Sequence, residues 1–167
     1  MKQVSYQQRR ERIKTGDLLV WKKDQQSKVS NLFLKVVRTA TLSEFAHVGI
    51  ALRIGKRLFV VEATIPKVRI APVSCKDEFY HIPMGVSPNE ADIDFLLDAV
   101  GLDYSLIDAI RAYLGHRLKD KNRYQCVELA MEFYKRLKVD VDCDATPAEF
   151  VNHVLMLNET SITLVKK

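Results

Sequence analysis

Cysteine is scarce in this chain, and the three that occur, Cys75, Cys126 and Cys143, are odd in number and far apart. There is no CxxC pair and no cluster of cysteine and histidine at zinc-ligand spacing. That argues against a disulfide framework and a structural zinc site, and it leaves free thiols in a reducing compartment as the simplest account. Long apolar runs are also missing: nothing approaches the roughly 20 residues that a membrane helix needs. Residues 1–14 are polar and basic without an apolar stretch of secretory type, so the expected location is cytoplasmic unless another route exports the chain. No repeat, low-complexity segment, linker or nucleic-acid recognition motif is found. No metal and no cofactor are expected.

What is present is ordinary for one globular domain. Apolar residues make up 47% and charged residues 28% of 167 residues, enough for a sizeable core. The expected organisation is therefore a single domain over residues 1–167, with 1–14 as a polar helix or tail. The net charge is +5, with a basic excess at both ends and between Arg111 and Arg123. Such an excess can favour an anionic surface partner, but a solvated basic face is the preferred account.

Patterning along the chain gives an α+β fold. Thr15-Gly16-Asp17 reads as a turn before a short strand, Leu18–Trp21. Val29, Leu32, Phe33, Val36, Val37 and Ala40 have helical spacing. Ala46–Leu52 and Leu58–Ala63 read as an antiparallel hairpin around Ile54-Gly55-Lys56, followed by strands at Lys67–Val73 and Phe79–Ile82. Helices follow at Ala91–Val100, at Asp103–Leu114 and from Cys126 to about Lys138. Thr146-Pro147 starts another, to about Leu155. Ser161–Val165 reads as a last strand. Short strands with tight links predict an antiparallel sheet packed against helices, one of them bearing a cysteine.

Cys126 opens an apolar-periodic helix in which Leu129, Phe133 and Leu137 share a face. A cysteine in the first helical turn lies at the positive end of the helix dipole, which stabilises a thiolate and makes it a nucleophile. A small buried hydrophobe is the alternative reading. His47 starts one hairpin strand and Glu62 ends the other, so the turn places them near the same end, at facing positions. A carboxylate inside Phe59-Val-Val-Glu-Ala63 needs a partner if buried, and an imidazole suits it. Cys126, from a helix packed across that sheet end, would complete a Cys–His–Glu arrangement for acyl transfer. A satisfied core histidine and a solvent-facing Glu62 are the competing readings. His81, also on a strand, is the reserve base. A metal held by His47, Cys126 and Glu62 would lack a fourth ligand.

Several of these pieces, taken in order, resemble a known family. Gly16-Asp17-Leu18-Leu19, Ala46-His47-Val48-Gly49-Ile50, Glu62-Ala63, Gly101-Leu102-Asp103-Tyr104, Tyr124-Gln125-Cys126-Val127-Glu128-Leu129 and Ala145-Thr146-Pro147 with Phe150 follow the order of circularly permuted NlpC-type papain-like proteins. That group includes YiiX- and YebB-like bacterial proteins and is related to the lecithin retinol acyltransferases. The permutation puts histidine before cysteine, as here. The resemblance spans residues 15 to 155 and implies a circularly permuted papain-like fold, with Cys126 as nucleophile, His47 as base and Glu62 as the third polar residue. It implies a cysteine peptidase, amidase or acyltransferase forming a covalent acyl-enzyme on a peptide-, amide- or acyl-containing substrate. The family often has serine after the cysteine, where this chain has Val127, so no hydroxyl stands beside the nucleophile. The oxyanion would be met by the backbone N–H of Cys126 with Tyr124, Gln125 or Tyr104, while Glu128 reads as a structural or surface residue, with a site role as the alternative. The alternative function is a catalytically silent papain-like binding module docking a basic face on an anionic partner.

Overall fold

The computed structural model describes residues 2–22, 45–104, 123–141, 146–158 and 161–167. Its frame is a seven-stranded sheet in the order β1-β9-β6-β2-β3-β4-β5. The strands are β1 (Lys2–Ser5), β2 (Leu18–Lys22), β3 (Phe45–Ile54), β4 (Arg57–Ala63), β5 (Val68–Pro72), β6 (Glu78–Ile82) and β9 (Thr163–Lys166). Every neighbouring pair is antiparallel except β1 with β9. The expected hairpin is present: β3 and β4 are joined at Gly55, whose φ of 57° a side chain rarely adopts. Two further short strands, β7 (Asp103–Tyr104) and β8 (Arg123–Tyr124), pair with each other in parallel.

Alternation along the strands sorts the core into two layers. Leu18 and Val20 of β2, Val48, Ile50 and Leu52 of β3, and Val61 and Ala63 of β4 belong to one cluster. Onto that face pack α2 (Glu90–Asp98), α3 (Cys126–Arg136) and α4 (Pro147–Asn158), through Leu96, Leu129, Phe133, Phe150 and Val154. Helix α2 starts with reciprocal bonds between Asn89 and Asp92, and α4 with Thr146 and Glu149. This is the α+β arrangement that the pattern predicts. No helix among the described residues is long and apolar enough to cross a membrane.

The opposite face carries Leu19, Trp21, Ala51, Leu58, Val60, Phe79 and Val165. The N-terminal segment covers it: residues 6–12 are helical, in keeping with the reading of residues 1–14 as a polar helix or tail, while Lys2–Ser5 form a strand. Lys2–Ser5 extend the sheet beside β9, α1 (Tyr6–Arg9) is a single capped turn, and Ile13 is fully buried. The few apolar residues in this basic stretch, Val4, Tyr6 and Ile13, all pack on the second layer. Asp103-Tyr104 is likewise β-structure rather than the start of a helix; the rest of that expected helix, and the one expected over 29–40, lie outside the described residues.

Gly16 ties the two ends of the domain together. Its φ is 92°, and a Cβ there would meet Val86 Cγ2 at 2.7 Å and Pro88 Cγ at 2.9 Å. Its carbonyl accepts a hydrogen bond from the hydroxyl of fully buried Tyr134 on α3, at 2.9 Å. Tyr134→Phe leaves that buried carbonyl unpaired and is expected to cost about 1–2 kcal/mol in urea unfolding. An unchanged midpoint would show that the bond contributes nothing.

Candidate active site

His47 and Glu62 are brought together by strand register, though not as direct partners. Ile50 pairs with Val61, so one step further Glu62 faces Gly49, and His47 lies diagonally across the pair on the same face. The glycine makes the diagonal contact possible. A Cβ on Gly49 would lie 2.5 Å from Val60 Cγ2 and 3.2 Å from Glu62 Cβ, in the space between the two side chains. A bulge in β2 at Trp21/Lys22, opposite the start of β3, sets where His47 stands. The Trp21 ring lies 5.5 Å from the imidazole. His47 Nε2 and Glu62 Oε2 are 2.8 Å apart.

Glu62 is 1% exposed and is not left as a lone charge. Its Oε1 accepts from Arg69 Nε at 3.0 Å and Nη2 at 2.8 Å, and from Lys76 Nζ at 2.7 Å. Arg69 is its register partner on β5. Lys76 arrives from the connection between β5 and β6, and its ammonium also lies 4.9 Å from the Trp21 ring centroid. Burial pushes the Glu62 carboxyl upward, but the bond to His47 and the charges of His47 and Lys76 prevail and hold it well below the usual carboxylate range.

Cys126 occupies the first position of α3 and is 7% exposed. Its placement follows from a chain of backbone contacts. Val68 N–H donates to Leu102 O and Gly101 N–H to Val68 O, which fixes residues 101–104 beside the start of β5. Tyr104 then pairs with Tyr124 in the β7–β8 pair, two residues before the cysteine. Gln125 caps the helix in an extended conformation, and its N–H donates to Glu128 Oε2 at 3.0 Å. The Cys126 side chain lies beside the imidazole and interacts with it. Since Nε2 faces Glu62, Nδ1 is the nitrogen left for the sulfur. Burial disfavours the imidazolium, but the bonds to Cys126 and Glu62 outweigh it and raise the His47 pKa to about 9.

The remaining expected residues divide. Tyr104 is half-buried in β7, Tyr124 lies in β8 and Gln125 is the helix cap. All three border Cys126 along the chain or through the β7–β8 pair. His81 is not a spare base. Its Nε2 lies 2.8 Å from Asp17 Oδ2, and its Nδ1 accepts from Arg9 Nε at 2.9 Å. Arginine only donates, so Nδ1 is the bare nitrogen and Nε2–H points at Asp17. Asp17 also accepts from the N–H groups of Lys14 and Met84, which makes it a buried anchor for the N-terminal segment. Cys75 is exposed after β5, while Cys143 and His116 lie outside the described residues. His153 is bonded to the Asp140 carbonyl.

Sequence reasoning missed Arg69, Lys76 and the Asp17–His81 pair. The strand alternation puts Arg69 on the face of Glu62, a signal that was readable once the hairpin was placed. Lys76 sits in a connection whose path no periodicity describes.

No family model matches the chain, and no curated protein matches it. In fold it is similar to the metalloprotein YiiX of Escherichia coli O157:H7. The crystal structure of that protein superposes with a TM-score of 0.56 at 16% identity, covering 77% of this chain and 68% of YiiX. The sheet-and-helix arrangement is therefore YiiX-like. The donors around Cys126 do not suit a metal ion, because both Glu62 oxygens are already engaged and Lys76 and Arg69 bring positive charge to them. Among the described residues, no group of three or more His, Cys, Asp and Glu is placed to hold one.

Two outcomes follow. His47 has a raised pKa, so its contribution to stability is present below its ordinary value of 6.5 and is lost as pH rises through about 9. In Glu62→Gln that alkaline loss shrinks by roughly 1–3 kcal/mol, read from urea unfolding between pH 6 and 10. Parallel curves would mean that the carboxylate does not support the imidazolium. Gly49→Ala forces the β3–β4 pair apart at the site, with an expected cost of about 1–3 kcal/mol and a lengthened His47–Glu62 contact in its crystal structure.

Proposed function

We propose that this protein is a cysteine-dependent hydrolase or acyltransferase of circularly permuted papain-like type, acting on an amide or ester bond. The observation that carries this reading is the continuous contact from Cys126 through His47 to buried Glu62. The resemblance of the ordered motifs supports it, as does the YiiX-like fold.

In this mechanism His47 takes the thiol proton and the Cys126 sulfur attacks the substrate carbonyl carbon. A C–S bond forms and the carbonyl π pair moves onto oxygen. The N–H of Cys126, one of the first-turn donors that a helix does not use internally, would meet that oxyanion, with Gln125, Tyr124 or Tyr104 as the candidate second donor. Collapse of the intermediate expels the amine or alcohol, which takes the proton from His47, and leaves a thioester. Water, or a second acceptor in a transferase, then gives its proton to His47 and attacks the thioester. Cys126 thiolate leaves and takes that proton back from His47, which restores the thiol and the neutral imidazole. Throughout, Glu62 keeps Nε2–H fixed, so Nδ1 carries every proton transfer.

The test is pH-dependent alkylation of Cys126 by iodoacetamide in a Cys75→Ser, Cys143→Ser background, because exposed Cys75 would otherwise dominate the labelling. Fast alkylation persisting well below about pH 8.5, the region of an ordinary thiol, and lost in His47→Ala is the expected outcome. Activated esters should then leave their acyl mass on Cys126. Slow alkylation that follows an ordinary thiol and ignores His47 would overturn the enzyme reading in favour of a binding module.

A further inference from the structure

The geometry around Glu62 points to Lys76 as a positioning residue for the His47 base: it clamps the carboxylate oxygen opposite the imidazole and restrains, by its charge, how strongly the pair holds a proton. This deepens the proposed function and rests on it for its catalytic meaning.

The two oxygens of Glu62 have different partners. Oε2 is directed at His47 Nε2, while Oε1 takes three donor contacts, two from Arg69 and one from Lys76. Arg69 alone would anchor the carboxylate, since it is bidentate on Oε1 and comes from the adjacent strand. Its side chain is 55% exposed, however, so solvent screens its charge. The Lys76 side chain is only 20% exposed. Its ammonium sits between the Glu62 carboxylate and the Trp21 ring, and that ring also borders His47. Lys76 is thus the less screened cation beside the pair.

The charged and titratable groups that meet the pair are Cys126 from α3, Glu62 from β4, Arg69 from β5 and Lys76 from the β5–β6 connection. From β2 the neighbour is the uncharged Trp21. Cys126 and Glu62 favour the imidazolium. Lys76 opposes it twice, by repelling the cation directly and by drawing the Glu62 charge toward Oε1. A base that holds its proton too firmly is a poor donor to the leaving group and a poor acceptor from water. Lys76 keeps His47 nearer the middle of its working range.

The experiment is an NMR titration of ring-labelled histidine in the parent, Lys76→Gln and Lys76→Arg, with the His47 signal assigned by its loss in His47→Gln. In Lys76→Gln the His47 midpoint should move up by about one pH unit, a tenfold gain in proton affinity, while Lys76→Arg stays near the parent. A merely structural lysine would lower stability and leave the midpoint where it was. An unchanged or lowered midpoint in a folded Lys76→Gln overturns the inference, as does an arginine variant that shifts like the glutamine one. Alkylation of Cys126 in the same proteins separates the two claims. If the midpoint moves as stated but Cys126 reacts as an ordinary thiol in the parent, the acyl-enzyme reading fails and the role of Lys76 toward His47 stands.

Discussion

A carboxylate shut away from water must be matched by positive charge and by donors, or it does not ionise. Glu62 meets that condition at the end of β4 with three cationic partners, each from a different part of the chain. His47 comes from β3, Arg69 from β5 and Lys76 from the crossing toward β6. The demand of this one group therefore pins the hairpin, the edge strand and the following connection to one another. The imidazole is the one of these partners that also lies against the Cys126 side chain, so the structural requirement of the carboxylate and the chemical potential of the histidine are one arrangement.

The second constraint is steric. Direct cross-strand pairing would put Gly49, not His47, against Glu62. The glycine leaves that position without a side chain, where a Cβ would meet Val60 and Glu62. His47 and Glu62 stand on the sheet face opposite the helices, whereas Cys126 belongs to the helix-side cluster. The sulfur and the imidazole meet where the paired part of the hairpin ends, beyond Ile50 and Val61. There the segment 101–104, bonded to β5 and paired with β8, delivers the start of α3. Cys126 is thus positioned by backbone bonds rather than by side-chain packing alone.

Much of this was legible in the sequence. The alternation of β3 and β4 and the Gly55 turn gave the hairpin, and the helical period after Cys126 gave α3. Two residues near one end of a hairpin, one of them a carboxylate in an apolar strand, suffice to suggest a pair. The diagonal offset was not legible, because it depends on a register that one residue of slippage would invert. The role of residues 2–14 was hidden for a different reason. Val4, Tyr6 and Ile13 are too few to show a period, and what they cover is a sheet face assembled from strands far along the chain. Lys76 and Arg69 look like ordinary surface charge until the buried acid they neutralise has been placed.

The two histidines of this sheet face separate the chemistry of a base from that of a strut. Both bring Nε2 to within 2.8 Å of a buried carboxylate, His47 to Glu62 and His81 to Asp17. They lie on one side of the sheet, with Leu19 pairing to both His81 and Gly49. A carboxylate at hydrogen-bond distance therefore does not by itself mark a catalytic histidine. What differs is the other nitrogen. At His81 it receives a guanidinium N–H, a donor that cannot accept a proton, and the ring is held as a link between Arg9 and Asp17. At His47 the remaining nitrogen faces a thiol, which can surrender its proton and become a nucleophile by doing so. The same sheet thus carries one imidazole whose proton is immobilised and one whose proton has somewhere to go, and only the second arrangement can couple to bond making at sulfur.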